Sequence, residues 1–289
     1  MYTETKNDMV KVSVIIPIFN REKYIEKCLK NVCMQTLKEI EIICIDDCST
    51  DKTLSVLKKC RVHDKRIKVI SLKKNSGSGP ARNAGMKKAK GEFIAFMDSD
   101  DFYPSDDALE TLYNTAINKG VDICGGNVRI VNEKGYKVKT FIKDAQKQFR
   151  KEGYIDIYKW QWCFGYWRFI YNRKMLIENG EKFKDYRRFQ DPPFMLKTML
   201  DLNNIYGINK EVYCYRVSHK KVKYNMRSMN DKFKAIKEVM EMCETYELYE
   251  LKNIVIRLKR EYRNKLLRTI PQIFVSTISY EFKNRRYFK

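Results

Sequence analysis

Two aspartates one residue apart follow a strongly apolar stretch of the chain. Asp98 and Asp100 come directly after residues 92–97, five of which are apolar. Carboxylates so spaced at the end of a strand can reach one hard divalent cation such as Mg²⁺ or Mn²⁺. The same residues would also be ordinary at the start of a helix, where Asp is a common cap. Their place after an apolar run favours the metal site.

Another pair of carboxylates, Asp46 and Asp47, follows the apolar run 41–45. One of them could accept a hydrogen bond from a nucleobase N–H. Capping of the next helix explains the Ser and Thr that come after them, but not two carboxylates at a buried strand end.

A glycine-rich segment at residues 77–85 carries Arg82. It lacks the lysine of a phosphate-binding P-loop. It also does not follow a first strand, as the GxGxxG loop of dinucleotide-binding proteins does, so neither type of nucleotide-binding loop fits. Small residues there permit close approach of the backbone to a ligand, and Arg82 supplies a cation for it. A flexible turn opening a helix at Pro80 would explain the glycines alone.

The elements that must position these residues alternate regularly. Apolar runs predict strands at 12–19, 41–45, 67–72, 92–97 and 121–124, and the intervening stretches predict helices at 22–34, 50–60, 80–90 and 106–119. This order is typical of a mostly parallel sheet with helices on both faces. Because ligands bind at the carboxyl ends of such strands, the polar clusters that follow them should converge on one site.

Four ordered motifs carry a family resemblance: VSVIIPIFNREKYI, DDCSTDKT, NSGSGPARNAG and GEFIAFMDSDD. Together they resemble the inverting glycosyltransferases of family 2, which have the GT-A fold. The resemblance is strong over residues 11–127 and looser through 167–173 and 190–191 to Tyr215 and Arg216. It implies a UDP-sugar donor and an α/β, Rossmann-like GT-A sheet flanked by helices.

The resemblance also implies residue roles. Nucleotide-sugar contacts fall on Pro17, Phe19, Asn20, Asp47, Arg82, Asp98 and Ser99. Pro17 and Phe19 would line the base pocket, and Asp47 would hold the uracil edge. Mn²⁺ or Mg²⁺ would bind Asp100, with Asp98 and His219 as further ligands, although the sequence around His219 favours a solvated loop residue over a ligand.

The catalytic base of this family lies in a late acidic pair, which is matched here by Gln190 and Asp191. Asp191 fits the base, whereas Gln190 replaces the commoner Glu and leaves the role of that position open. One carboxylate is enough to deprotonate an attacking hydroxyl. Asp191 could also cap the helix that begins at Pro192 and Pro193. The nearby aromatic segment 160–167 suits either a platform for the acceptor sugar or a hydrophobic wall.

The charge of the chain points to an anionic partner. Its 289 residues include 58 Lys and Arg against 36 Asp and Glu, a net charge of +22. Residues 252–289 hold eleven Lys and Arg and two Glu, interleaved with apolar residues. This pattern predicts basic amphipathic helices that contact an anionic membrane surface, or helices packed on the core. No nucleic-acid-binding motif is present, so nucleic acid is not expected as a partner.

The sequence therefore predicts a catalytic domain at 1–229, with a nucleotide-sugar half (11–127) and an acceptor half (128–229), and a basic helical region at 230–289. No signal peptide or membrane span is apparent, and the nine cysteines form no metal-binding pattern. The expected protein is cytoplasmic, peripheral on the inner face of the membrane, and acts on a glycan acceptor, either free or lipid-linked. The alternatives are a sugar-nucleotide nucleotidyltransferase and a non-enzymatic basic membrane- or nucleic-acid-binding protein.

Overall fold

The computed structural model describes residues 9–138, 148–202, 204–217 and 226–269, with side chains to residue 264. The strands found there are β1 (Val12–Ile18), β2 (Ile40–Asp46), β3 (Ile67–Ser71), β4 (Phe93–Phe96), β5 (Ile123–Val131), β6 (Gly153–Tyr154), β7 (Phe169–Asn172) and β8 (Ile205–Arg216). They form one sheet in the order β3-β2-β1-β4-β7-β5-β8-β6.

The helices are α1 (Ile25–Cys33), α2 (Thr53–His63), α3 (Ser78–Met86), α4 (Ala108–Lys119), α5 (Ile157–Trp160), α6 (Arg173–Glu178), α7 (Asp191–Leu200), α8 (Met226–Thr245) and α9 (Tyr249–Thr269). A short 3₁₀ turn at Tyr166–Arg168 precedes β7. All four helices predicted between residues 22 and 119 are present, with shifted ends.

The first four strands are parallel. β1, β2 and β4 are buried along their whole length, whereas β3, at the edge of the sheet, is buried only at Ile67. β1 pairs with β2 and β4, and β2 pairs with β3. Every residue of β1 and β2 is buried, as the continuous apolar runs predict for strands covered on both faces. Their carboxyl ends therefore share one edge, where the loops with the acidic motifs emerge.

The second half of the sheet departs from simple alternation. β7 inserts antiparallel between β4 and β5, and β8 lies parallel to β5. β7 is short and lies far along the chain from both β4 and β5. The local sequence pattern therefore does not reveal which strands it pairs with. Its insertion brings residues 166–168 beside the end of β4.

The chain divides into two compact units, Met1–Ala235 and Ile236–Lys289. In the second, the end of α8 turns into α9, and Lys252 Nζ lies 3.0 Å from a Glu244 carboxylate oxygen. Across the described residues no helix combines the length and apolarity needed to cross a bilayer. All nine cysteines lie in the described residues and are free thiols.

Candidate functional site

The acidic motif after β4 forms a tight turn over residues 98–101. The Asp101 N–H donates to the Asp98 carbonyl (3.0 Å), and the Asp98 N–H donates to the Tyr213 hydroxyl (3.0 Å). That hydroxyl in turn donates to Asp101 Oδ2 at 2.9 Å. Asp101 is buried and committed to this network. The side chains of Asp98 and Asp100 keep about a third of their surface exposed, 28% and 34%.

Arg216, the last residue of β8, holds the same turn from the other side. Its N–H donates to Asp101 Oδ1 (2.7 Å), its Nε to the Asp100 carbonyl (2.7 Å) and its Nη1 to the Glu133 carbonyl (2.6 Å). Two of these contacts fix the turn to β8, and the third ties β8 to the segment after β5. Tyr213 and Arg216 thus set the backbone that presents Asp98 and Asp100.

Arg82 projects from α3 into the space beside Asp98. Its Nη2 donates to Asp98 Oδ1 (2.7 Å), which also accepts the Tyr166 hydroxyl (3.2 Å). The guanidinium lies 4.9 Å from the centre of the Tyr166 ring and is 4% exposed. Within the described part of the chain its Nε and Nη1 donate no hydrogen bond. Since unpaired buried donors are costly, this arrangement suits a ligand with acceptor oxygens.

Asp47 organises the loop between β3 and α3. Its two carboxylate oxygens accept the N–H groups of Ser76 and Gly77, each at 2.7 Å. Burial raises the pKa of Asp47, while the two amide hydrogen bonds oppose this rise. Gly77 has a φ of 98°, in the region that favours glycine. The carboxylate therefore fixes the glycine-rich loop over the carboxyl end of β2.

The residues predicted to contact the nucleotide at the end of β1, together with Ser99, differ in their exposure and contacts. Phe19 is 40% exposed, which is unusual for a large apolar residue and leaves its ring open to a ligand, whereas Pro17 is buried in the strand. Asn20 Oδ1 accepts the Thr50 N–H (2.8 Å), so this side chain ties β1 to the loop after β2. Ser99 is buried at 5% exposure. The nucleotide contacts assigned to these residues stay predictions.

Asp191 begins helix α7, with Gln190 as the capping residue and two prolines behind it. Within the described residues, its carboxylate accepts no hydrogen bond from another residue. Burial raises its pKa, with Arg82 lowering it and Asp98 raising it further. A half-buried carboxylate without donors is well suited to take a proton from a hydroxyl group.

Asp100 is the carboxylate best placed to hold a cation. Burial raises its pKa and Asp98 adds to the rise, while Arg21 lowers it, with Nη2 3.7 Å from Oδ2. Asp98 faces Arg82 through Oδ1 and Asp100 faces Arg21 through Oδ2, which leaves one hard oxygen of each carboxylate for a divalent ion whose other ligands are water and substrate phosphates. The described residues contain no group of three side chains that would enclose a metal by themselves. The predicted ligand His219 lies outside the described residues.

The aromatic segment 160–167 divides between two environments. Trp162 is buried at 3% exposure. Trp167 is half-buried and stacks on Tyr215, with ring centres 5.3 Å apart and planes within 5°. Burial raises the pKa of Tyr215, and the carboxylates of the turn and of Asp191 raise it further, which places this stack beside the acidic cluster.

Sequence reasoning missed several residues that build the site, namely Asp101, Tyr166, Tyr213 and Arg216. Asp101 stands next to the recognised pair and could have been included. Tyr166 and Tyr213 reach the turn from 68 and 115 residues away along the chain. Only knowledge of the strand order β4-β7-β5-β8 brings them together.

The chain is similar in sequence to several known glycosyltransferases. A model of glycosyl transferase family 2 matches residues 13–179. The glycosyltransferase GlyG of Streptococcus pneumoniae serotype 4 is 31% identical over 212 residues, which are 71% of this chain and 70% of GlyG. The poly(ribitol-phosphate) beta-N-acetylglucosaminyltransferase TarS of Staphylococcus aureus is 32% identical over 211 residues, which are 72% of this chain but 35% of TarS.

Solved structures extend the similarity of the fold. Residues 1–349 of S. aureus TarS in complex with UDP-GlcNAc superpose with a TM-score of 0.68 at 24% identity, covering 90% of this chain and 73% of that one. A mannosyltransferase from Pyrobaculum calidifontis gives 0.59 at 16% identity, covering 95% and 81%. Since the family model takes in more than half of the chain and the fold superposes on these structures, the chain belongs to glycosyl transferase family 2, a glycosyltransferase with the GT-A fold.

Proposed function

We propose that this chain is an inverting, metal-dependent glycosyltransferase that moves a sugar from a UDP-linked donor to a hydroxyl of a glycan acceptor. We place this reaction in the synthesis of a surface glycan such as a capsule or lipooligosaccharide. The support from relatives is that TarS is named for transfer of N-acetylglucosamine to poly(ribitol-phosphate) and has been solved with UDP-GlcNAc.

One observation carries the proposal. The Asp191 carboxylate, which other described residues leave without a hydrogen-bond donor, lies near the Arg82 guanidinium, which has N–H groups left to donate. Among the described residues, the Asp191 carboxylate accepts no hydrogen bond from a residue other than itself, and Arg82 leaves Nε and Nη1 unpaired. Each lies close enough to shift the pKa of the other. A sugar transfer needs both groups, because a proton must leave the acceptor while negative charge builds on the departing diphosphate.

In the proposed reaction the acceptor hydroxyl attacks C1 of the donor sugar as Asp191 takes its proton. The bond from C1 to the diphosphate oxygen breaks on the opposite face, so the configuration at C1 inverts and UDP leaves. Arg82 donates hydrogen bonds to the developing charge, and Asp98 holds Arg82 in place. Phe19 and Asp47 bind and orient the nucleotide at the other end of the cleft.

Asp100 would hold the divalent ion, with Asp98 as a second oxygen donor. When bound, Mg²⁺ or Mn²⁺ supplies positive charge that neutralises the diphosphate. The raised pKa of Asp100 supports this role, because a nearby dication would relieve the charge that burial and Asp98 disfavour.

A panel of UDP-sugars with Mn²⁺ or Mg²⁺ tests the function directly. We expect UDP to raise the melting temperature in the presence of metal, and one UDP-sugar to be hydrolysed slowly to UDP. Stabilisation by a nucleoside triphosphate and a sugar phosphate instead would favour a nucleotidyltransferase. No response to any nucleotide would overturn the proposal.

We also propose that the basic C-terminal region holds the enzyme at an anionic membrane, close to a lipid-linked acceptor. Helix α9 alone contains seven Lys and Arg against two Glu. Each cation near an anionic leaflet contributes about 1 kcal/mol, so several together bind reversibly. We expect the chain to sediment with phosphatidylglycerol vesicles at low salt and not at high salt.

A matched pair of variants isolates the role of α9 in membrane binding. Replacing Arg260 and Arg263 by Gln should weaken sedimentation, whereas replacing the exposed Lys58 and Lys59 of α2 by Gln removes equal charge elsewhere. Equal loss in both variants, or no binding by the intact chain at low salt, would contradict a membrane-binding C-terminal region.

A further inference from the structure

The loop that precedes α7, residues 183–190, lies along the start of α3 and the loop before it. Gln190 Nε2 donates to the Ser78 hydroxyl at 2.7 Å. Arg187 Nη2 donates to the Asn75 carbonyl at 2.9 Å, and its Nη1 donates to the Asn75 side chain. Two segments more than a hundred residues apart in sequence are thus joined beside Asp191 and Arg82.

Further contacts along α3 extend this junction. Asn83 and Phe183 exchange two hydrogen bonds, from Nδ2 to the Phe183 carbonyl (2.8 Å) and from the Phe183 N–H to Oδ1 (2.9 Å). At Gly79 a Cβ atom would stand 2.6 Å from the Lys184 carbonyl oxygen, so only glycine permits this approach. The glycine-rich sequence thus serves the packing of this loop as well as the turn at Gly77.

The junction fixes the residue immediately before the proposed base. Gln190 is 7% exposed and stands at the N-cap position of α7, where its side chain makes no capping hydrogen bond and instead bonds Ser78, so the residue before the helix is tied to α3. Ser78 directly follows the loop that Asp47 holds by two amide hydrogen bonds. The chain of contacts therefore runs from the predicted nucleotide site to the first residue of α7.

We propose that Gln190 is a positioning residue, whose hydrogen bond to Ser78 locks the loop 183–190 against α3 and so places Asp191 in the cleft. This inference rests on the proposed function for its catalytic consequence, but the lock itself is a property of the fold. It gives a role to the position where this sequence carries Gln in place of Glu. An uncharged amide makes the bond without adding a second carboxylate next to Asp191.

Hydrogen–deuterium exchange of the whole chain tests the lock without any substrate. In Gln190→Ala and in Ser78→Ala we expect backbone amides of residues 183–190 to exchange about tenfold faster, with α4 unchanged. Gly79→Ala should have the same effect by pushing the loop outward. Gln35→Ala is the matched control, since Gln35 is an equally buried glutamine that bonds the Ser105 carbonyl and the Leu109 N–H.

Turnover and binding separate positioning from simple loss of stability. For hydrolysis of UDP-GlcNAc we expect Gln190→Ala to lower kcat about tenfold while the Kd for UDP stays within about twofold. Gln190→Glu should restore exchange to the wild-type rate, because the Ser78 hydroxyl can donate to a carboxylate. The Gln35→Ala control should leave kcat unchanged.

The two proposals fail in different ways. Wild-type exchange rates at 183–190 in both Gln190→Ala and Ser78→Ala would overturn the lock whatever the activity. Faster exchange with an unaltered kcat would overturn the positioning role. A wild-type chain that binds no UDP would overturn the proposed function, while the exchange data would still decide the lock.

Discussion

The turn after β4 and the start of α7 are both acidic, but their carboxylates differ in the hydrogen bonds that they receive from other residues. In the turn, Asp98 and Asp101 receive hydrogen bonds from Arg82, Tyr166, Tyr213 and the Arg216 N–H. At the start of α7, Asp191 receives none from the described residues. The contrast separates two tasks: a group that binds a charge must be held still, while a group that takes a proton must keep its lone pairs free.

Asp191→Asn gives the sharpest test of this contrast. We expect kcat for sugar transfer or donor hydrolysis to fall by roughly 10²–10⁴, because an amide cannot accept the proton. Affinity for UDP should be retained, as measured by calorimetry. Asp201→Asn removes a carboxylate at the other end of the same helix and should change kcat by less than about threefold. A similar small effect at Asp191 would place the base elsewhere.

Asp100→Ala tests the turn after β4. We expect turnover that depends on Mn²⁺ to be lost and the Kd for UDP in the presence of metal to rise at least tenfold, because the diphosphate loses its bridging charge. Titrations with and without EDTA measure this. Asp106→Asn, a change of an exposed carboxylate just beyond the turn, is the control. Wild-type activity in EDTA would contradict a metal at this turn.

The strands could be anticipated far better than the network that holds the turn. β1, β2 and β4 are buried on both faces, so their continuous apolar runs and the polar residues after them are visible in the local sequence. Asp47, Arg82, Asp98 and Asp191 were identified because each stands in a motif or next to a strand end. Tyr213 and Arg216 were not, since their function depends on β8 lying beside β5, and the short strand β7 between β4 and β5 has no distinctive pattern.

Tyr213→Phe tests the contribution of such a distant residue. Removing its hydroxyl leaves the Asp98 N–H and Asp101 Oδ2 without their shared partner, at a cost of about 1–3 kcal/mol for buried groups. We expect a modest fall in melting temperature and a rise of about tenfold in the metal concentration that supports half-maximal turnover. Tyr113→Phe loses a hydroxyl bonded to Glu92 and should lower stability without changing the metal requirement. An unchanged requirement in Tyr213→Phe would mean that the turn keeps its shape unaided.

The smallest expected effect concerns stability and pH. Because burial raises the pKa of Asp191, its charged form disfavours folding once the pH exceeds the unfolded value of about 3.9. Asp191→Asn should therefore melt a few degrees higher than wild type at pH 7, with the gap closing as the pH falls towards 4. Differential scanning calorimetry from pH 4 to 8 measures this. A constant gap across that range would show that the carboxylate is not destabilised by burial.

The two prolines that follow Asp191 have a chemical consequence for the base. An acidic side chain at a helix start usually receives hydrogen bonds from the amides of the first turn, which stabilise its anion and weaken it as a base. Pro192 and Pro193 have no N–H to give. The helix therefore begins without amide donors at its second and third residues, and the Asp191 carboxylate keeps the proton affinity that its proposed role as a base requires.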